Sequence, residues 1–90
     1  MQFLTSSGLY TPYEHECESV ARLEVYRLSE DEMREIEEQA MPTDAMMEFL
    51  GFESPRYSVK PGAWYLERNF VAYNTITGLL VIEVRKSLNI

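Results

Sequence analysis

Cysteine, histidine and glycine are scarce in this chain, and each shortage removes a class of chemistry. Cys17 is the only cysteine, so no internal disulfide can form. A secreted domain of this size usually needs several, which makes a reducing compartment, the cytoplasm, the expectation. His15 is the only histidine, so a Ser-His or Cys-His nucleophilic device would have to use it, with Cys17 as its one suggestive neighbour. Packing is the commoner role for such a pair. The same two residues with Glu14, Glu16 or Glu18 could ligate a metal, but strand alternation would send the carboxylates to the opposite face. No second Cys/His pair completes a zinc tetrad, and no metal site is expected. Gly8, Gly51, Gly62 and Gly78 are isolated, so neither a P-loop nor a dinucleotide fingerprint can be built. No apolar run approaches the roughly 20 residues of a membrane span, and residues 1–8 lack the basic and apolar regions of a signal peptide. Paired carboxylates for glycosidic chemistry would find little concave surface on so short a chain. The expectation is a protein with no catalytic residues, no cofactor and no membrane partner.

Cations are missing from one half of the chain. Residues 14–53 hold thirteen of the fifteen acidic side chains and only Arg22, Arg27 and Arg34 against them. Residues 54–90 hold Glu67 and Glu83 against Arg56, Lys60, Arg68, Arg85 and Lys86, so the halves are net −10 and net +3 within a total of −7. A concentrated field of one sign steers association and repels wrong partners without a catalytic group. Direct nucleic-acid binding is disfavoured, because the net sign is wrong and the five cations are interrupted.

Hydrophobic residues make up 46% of the sequence and eleven side chains are aromatic, enough for a core and against disorder. Ninety residues make a single domain, 1–90. From 13 to 25 the residues alternate, with Tyr13, His15, Cys17, Ala21, Leu23 and Val25 on one side and Glu14, Glu16, Glu18, Arg22 and Glu24 on the other, the period of a half-buried strand. Thr11-Pro12-Tyr13-Glu14 also has the form of a helical capping box, so a strand is read over 19–28 and residues 12–18 are left between helix and strand. Ser29 and Glu32 form a second capping box, flanked by Leu28 and Met33 as a hydrophobic staple, and predict a helix from 30 to about 40 with the stripe Met33, Ile36, Ala40. Pro42 ends it, and Thr43 is placed to cap a short helix that stops at Gly51, with Phe52 reaching back to Met47. Residues 53–62 read as an irregular connection. Trp64, Leu66, Phe70 and Ala72 then share one face of a strand, and Asn74 and Gly78 suit a turn into a last strand with Leu80, Ile82 and Val84 inward. The fold class that follows is α+β: a small antiparallel sheet of three to five strands with two helices packed on one face.

The helix over 30–40 carries Glu30, Asp31, Glu32, Glu35, Glu37 and Glu38 with Arg34 alone against them. Carboxylates repeated at the helical pitch of about 5.4 Å can present spaced negative charge to a surface that grips phosphates, which is nucleic-acid mimicry; a solvated face of good helix formers is the plainer role. In size and charge, though by no matched residue, the chain resembles the small acidic proteins by which phages and mobile elements inhibit host defence or nucleic-acid enzymes. What that resemblance implies is an anti-defence protein of the anti-CRISPR or anti-restriction kind.

The leading expectation is a non-enzymatic inhibitor or regulator that sets Glu30, Asp31, Glu35, Glu37 and Glu38 against a basic, nucleic-acid-binding surface of a host protein. A second reading is a homo-oligomer, such as a homodimer, in which Arg56, Lys60 and Arg68 take an anionic ligand or nucleotide, or meet the acidic half of another copy. A third is an adaptor anchored by Met46, Met47 and Trp64, with one face of Trp64 under the helices.

Overall fold

The computed structural model describes residues 1–12, 19–53 and 58–89. The elements run β1 (Gln2–Ser6), β2 (Ser19–Arg27), α1 (Glu30–Glu38), α2 (Thr43–Phe49), β3 (Trp64–Tyr73) and β4 (Leu79–Leu88). The strands form one antiparallel sheet in the order β1-β2-β4-β3, an α+β architecture. Chain neighbours pair in the two hairpins, β1 with β2 and β3 with β4, but β2 and β3 do not pair. Instead β4 inserts between them, and the two helices make the crossover. Residues 13–18, where helix and strand compete, lie outside the described residues.

Local signals set the helix ends. The Ser29 side chain accepts from the Glu32 amide and the Glu32 carboxylate accepts from the Ser29 amide, so the capping box closes in both directions. Helix α1 stops before Pro42 is reached: Ala40 turns left-handed at φ 46°, and the Ala40 and Met41 amides donate back to the Glu37 and Ile36 carbonyls. Such a turn usually takes glycine, and an L residue there costs roughly 1–2 kcal/mol. Helix α2 departs from expectation at its start. Pro42 occupies the capping position with no side-chain bond, and Thr43 is the first helical residue. Proline has no N–H to leave unsatisfied there, and its extended backbone leads directly into the first turn, closed by Met46 N–H to the Pro42 carbonyl. Its far end is as expected, with Gly51 at φ 88° and the Phe52 amide donating to the Met47 carbonyl.

The core lies between the helices and one face of the sheet. Ile36 of α1 and Met46 and Met47 of α2 meet Leu80, Ile82 and Val84 of β4, with Leu28 and Phe52 closing the ends. Leu80 and Ile82 are fully buried. Register decides which face each strand turns inward, because cross-strand partners share a face. Tyr26 pairs with Leu80, Glu24 with Ile82 and Arg22 with Val84. Strand β2 therefore turns Arg22, Glu24 and Tyr26 towards the helices and Ala21, Leu23 and Val25 to the outer face, the reverse of what apolar-in alternation implies. On β3, a bulge between Phe70 and Ala72 breaks the alternation, so Tyr73 rather than Ala72 joins Trp64, Leu66 and Phe70 on the helix-side face. In the β3–β4 turn only Gly78 takes a positive φ, 76°. Asn74 contributes through its side chain, which accepts from the Ile76 and Thr77 amides. An added Cβ at Gly78 would lie 2.8 Å from the Met33 sulfur and 3.3 Å from the Leu28 carbonyl, so this turn is pressed against the start of α1.

Candidate functional site

The helix layer gathers the unbalanced charge. Residues 29–53 carry nine carboxylates, Glu30, Asp31, Glu32, Glu35, Glu37, Glu38, Asp44, Glu48 and Glu53, against Arg34 alone. Some of these groups have local work. Arg34 bridges to Asp31 at 3.0 Å, an exposed pair whose Asp31 side chain is 91% accessible and which water screens heavily. Glu35 accepts from the Gln39 side chain and is half-buried. The Glu32 carboxyl is raised by burial, but bonds from the amino terminus, at 2.8 Å, and from Ser29 outweigh that and hold it below its ordinary value. Glu30, Glu37, Glu38 and Glu48 are exposed and have no cation or side-chain donor beside them among the described residues. The five residues expected to form an acidic face, Glu30, Asp31, Glu35, Glu37 and Glu38, thus lie on one helix, four of them exposed, and α2 extends the field through Asp44 and Glu48.

Between α2 and β3 runs an open groove of about 780 Å³. Met47, Phe52 and Phe70 make its apolar lining, Asp44, Glu48 and Glu53 its acidic lip, and Arg68 enters from the strand. Three carboxylates around one guanidinium suit a cationic or apolar occupant rather than an anion. The other cations proposed for an anion are not gathered there. Lys60 lies in the turn before β3, whose carbonyl accepts from the Ala63 amide. Arg68 is four strand residues beyond Trp64, about 13 Å further along. Arg56 lies outside the described residues, as do His15, Cys17, Glu14, Glu16 and Glu18.

The three apolar anchors separate. Met46 and Met47 are buried core residues, and although Met47 lines the floor of the groove they offer little free surface for a partner. Trp64 is 50% exposed rather than sheltered by the helices, with the Lys86 ammonium 5.6 Å from its ring centroid. The helices sit over the other end of β3, beside Phe70 and Tyr73.

Two Tyr–Glu–Arg clusters, one on each face of the sheet, escaped the sequence reading. On the helix-side face, Glu24 accepts from the Tyr26 hydroxyl at 2.8 Å and from Arg22 at 3.0 Å, and is buried. On the outer face, Glu83 accepts from the Tyr10 hydroxyl at 2.6 Å and from Arg85 at 2.7 Å. Tyr10 is brought there by an isolated bridge to Ala21, whose small side chain lets the ring reach across towards β4. Burial and the neighbouring carboxylate push both tyrosine hydroxyls up to about 12. Burial raises the Glu83 carboxyl, but the Tyr10 hydroxyl, the Arg85 charge and Asn69 together hold it below its ordinary value. The contribution of Glu83 to stability is therefore complete above the ordinary carboxylate range and is lost as pH falls through the depressed value. The available signal was the spacing of two in Arg22-x-Glu24-x-Tyr26 and Glu83-x-Arg85, which places the groups on one strand face.

Comparison with protein-family models, curated proteins and solved structures gives no match to this chain. No helix among the described residues is long and apolar enough to cross a membrane.

Proposed function

We propose that this chain is a non-enzymatic inhibitor or regulator that docks its helix layer onto a basic, nucleic-acid-binding surface of another protein and blocks it. The observation that carries this reading is the surplus of exposed, uncompensated carboxylates on α1 and α2. Glu30, Glu37, Glu38 and Glu48 have no side-chain partner among the described residues, so their field is available to a partner, and a partner that binds phosphates carries the complementary cations. Glu30, Asp31, Glu35, Glu37 and Glu38 form the contact, with Asp44 and Glu48 at its margin. An anti-defence role of the phage type is the biological setting that best suits a small acidic blocker without catalytic groups.

The test is affinity capture from cell lysate with tagged wild type beside a Glu35→Lys, Glu38→Lys double variant, eluted in a salt gradient. A nucleic-acid-binding protein that leaves the wild type at moderate salt and is absent from the variant is the expected result, since exposed ion pairs are screened within about 10 Å at 0.1 M salt. Capture by the variant that is equal and insensitive to salt would sink the mechanism.

A further inference from the structure

The sheet has two edges of very different character. Strand β1 is five residues long, interrupted by a register shift between Phe3 and Thr5, and offers little to a further strand. Strand β3 is ten residues long, roughly 33 Å, its own register shift falls late, between Phe70 and Ala72, and no described residue pairs with its outer edge. Exposed edges of that length are normally blunted by brevity, proline or charge, because their unpaired N–H and C=O groups are a template for another strand. Here Trp64, Leu66, Phe70 and Val71 all stand exposed along the edge strand, Val71 at 48%.

The helix-side face along this edge is divided in the middle. Towards the start of β3 it bears Trp64 and Leu66 with Lys86, the cross-strand partner of Leu66, and Lys60 precedes the strand. Towards the end it bears Phe70 and the groove whose lip carries Asp44, Glu48 and Glu53. One half is apolar and cationic, the other apolar and, with three carboxylates to the one Arg68, net anionic. An antiparallel partner reverses the order of these halves, so a second copy of the same edge meets each half with its complement.

We propose that the outer edge of β3 is a homodimer interface, in which two copies join antiparallel about a two-fold axis near the middle of the strand to form one continuous eight-stranded sheet. A two-fold contact of this kind uses the same patch on both subunits. Trp64, Leu66 and Lys86 of each copy lie beside Phe70, Asp44 and Glu48 of the other. The edge hydrogen bonds supply the pairing, and the reversed charges fix its direction against a parallel arrangement, which would set acid on acid. The α1 carboxylates stay outside the interface, while Asp44 and Glu48, the margin of the docking surface proposed above, enter it; the test needs only the purified chain, so its outcome is read apart from that of the docking function.

Sedimentation velocity across micromolar to millimolar concentrations is the measurement. Wild type is expected to reach twice the 10.5 kDa chain mass. Leu66→Asp, which sets an acid against the acidic lip, and Lys86→Glu should each weaken the dimer at least about tenfold in Kd, and Glu48→Lys added to Lys86→Glu should restore it, because the swapped charges meet across the two-fold. Far-ultraviolet circular dichroism checks that the variants fold; if Leu66→Asp does not, the surface charge pair decides alone. A wild type that stays monomeric at millimolar concentration overturns the proposal and leaves the edge to a strand from a different protein. A dimer indifferent to both Leu66→Asp and Lys86→Glu overturns its location.

Discussion

In the sheet, Glu24, Glu67 and Glu83 are the only carboxylates of the four strands, and each is engaged: Glu24 by Arg22 and Tyr26, Glu83 by Arg85 and Tyr10, and Glu67 opposite Arg85 in the ladder. On the helices, Glu30, Glu37, Glu38 and Glu48 face water without a partner among the described residues. The same functional group thus does two different jobs. A carboxylate buried between a guanidinium and a phenol fixes strand geometry and contributes little to the outer field. A free one on a helix shapes the field and contributes almost nothing to the fold. Net charge alone, −7 for the chain, conceals this division. What it teaches is that acidity should be sorted by partnership before it is read as a binding surface.

The largest expected effect attacks the sheet side of the comparison. Glu24→Ala removes a buried acceptor from a half-buried hydroxyl and a half-buried guanidinium, and should cost about 2–3 kcal/mol in urea unfolding. Glu24→Gln keeps an acceptor for Tyr26 and should cost less. An independent readout is the Tyr26 hydroxyl, which burial and Glu24 push up to about 12. Between its ordinary value and that one, the folded chain holds a proton the unfolded chain has released, so wild-type stability falls as pH rises through this window. In Glu24→Ala the tyrosinate absorbance should appear at lower pH. A variant as stable as wild type, with Tyr26 titrating unchanged, would erase the distinction between the layers.

A smaller effect is expected where the layers meet. Gly78 holds φ 76° with Met33 and the Leu28 carbonyl against it, and its own carbonyl accepts from the Leu28 amide. Gly78→Ala adds the left-handed penalty and displaces the Met33 side chain, so a loss of about 1–2 kcal/mol should appear in thermal unfolding. Met33→Ala in the same chain relieves the contact but not the backbone strain, and the two losses should therefore fall short of additive.

This seam also marks how far the sequence could be read. The capping box at Ser29, the left-handed stop at Gly51 and the inward row Leu80, Ile82, Val84 are local patterns, set by neighbours three or four residues away at most, and the structure bears them out. The insertion of β4 between β2 and β3 is not local, since no pattern in a strand names its partner. The inward turn of Glu24 was hidden for a related reason: a carboxylate is buried only when its partners are in place, and those come from register. The exposed carboxylates were legible as charge on one helix. The half-and-half edge of β3 was not, because Lys86 joins Leu66 only through the β3–β4 pairing and the acidic lip arrives from α2.

The smallest expected effect is the sharpest version of the comparison. Glu37→Gln with Glu38→Gln removes two charges from the layer that carries nine against one, and nothing in the fold leans on either carboxylate. Exposed substitutions of this kind fall within about 0.5 kcal/mol each, and relief of repulsion between neighbouring carboxylates favours a slight gain. Chemical unfolding of the double variant should therefore superimpose on wild type or shift to marginally higher urea, while its salt-dependent retention on an anion-exchange column falls. The two readouts must separate: if the pair of neutral substitutions costs as much as Glu24→Ala, the helix carboxylates are structural after all, and the docking surface loses the spare charge on which it rests.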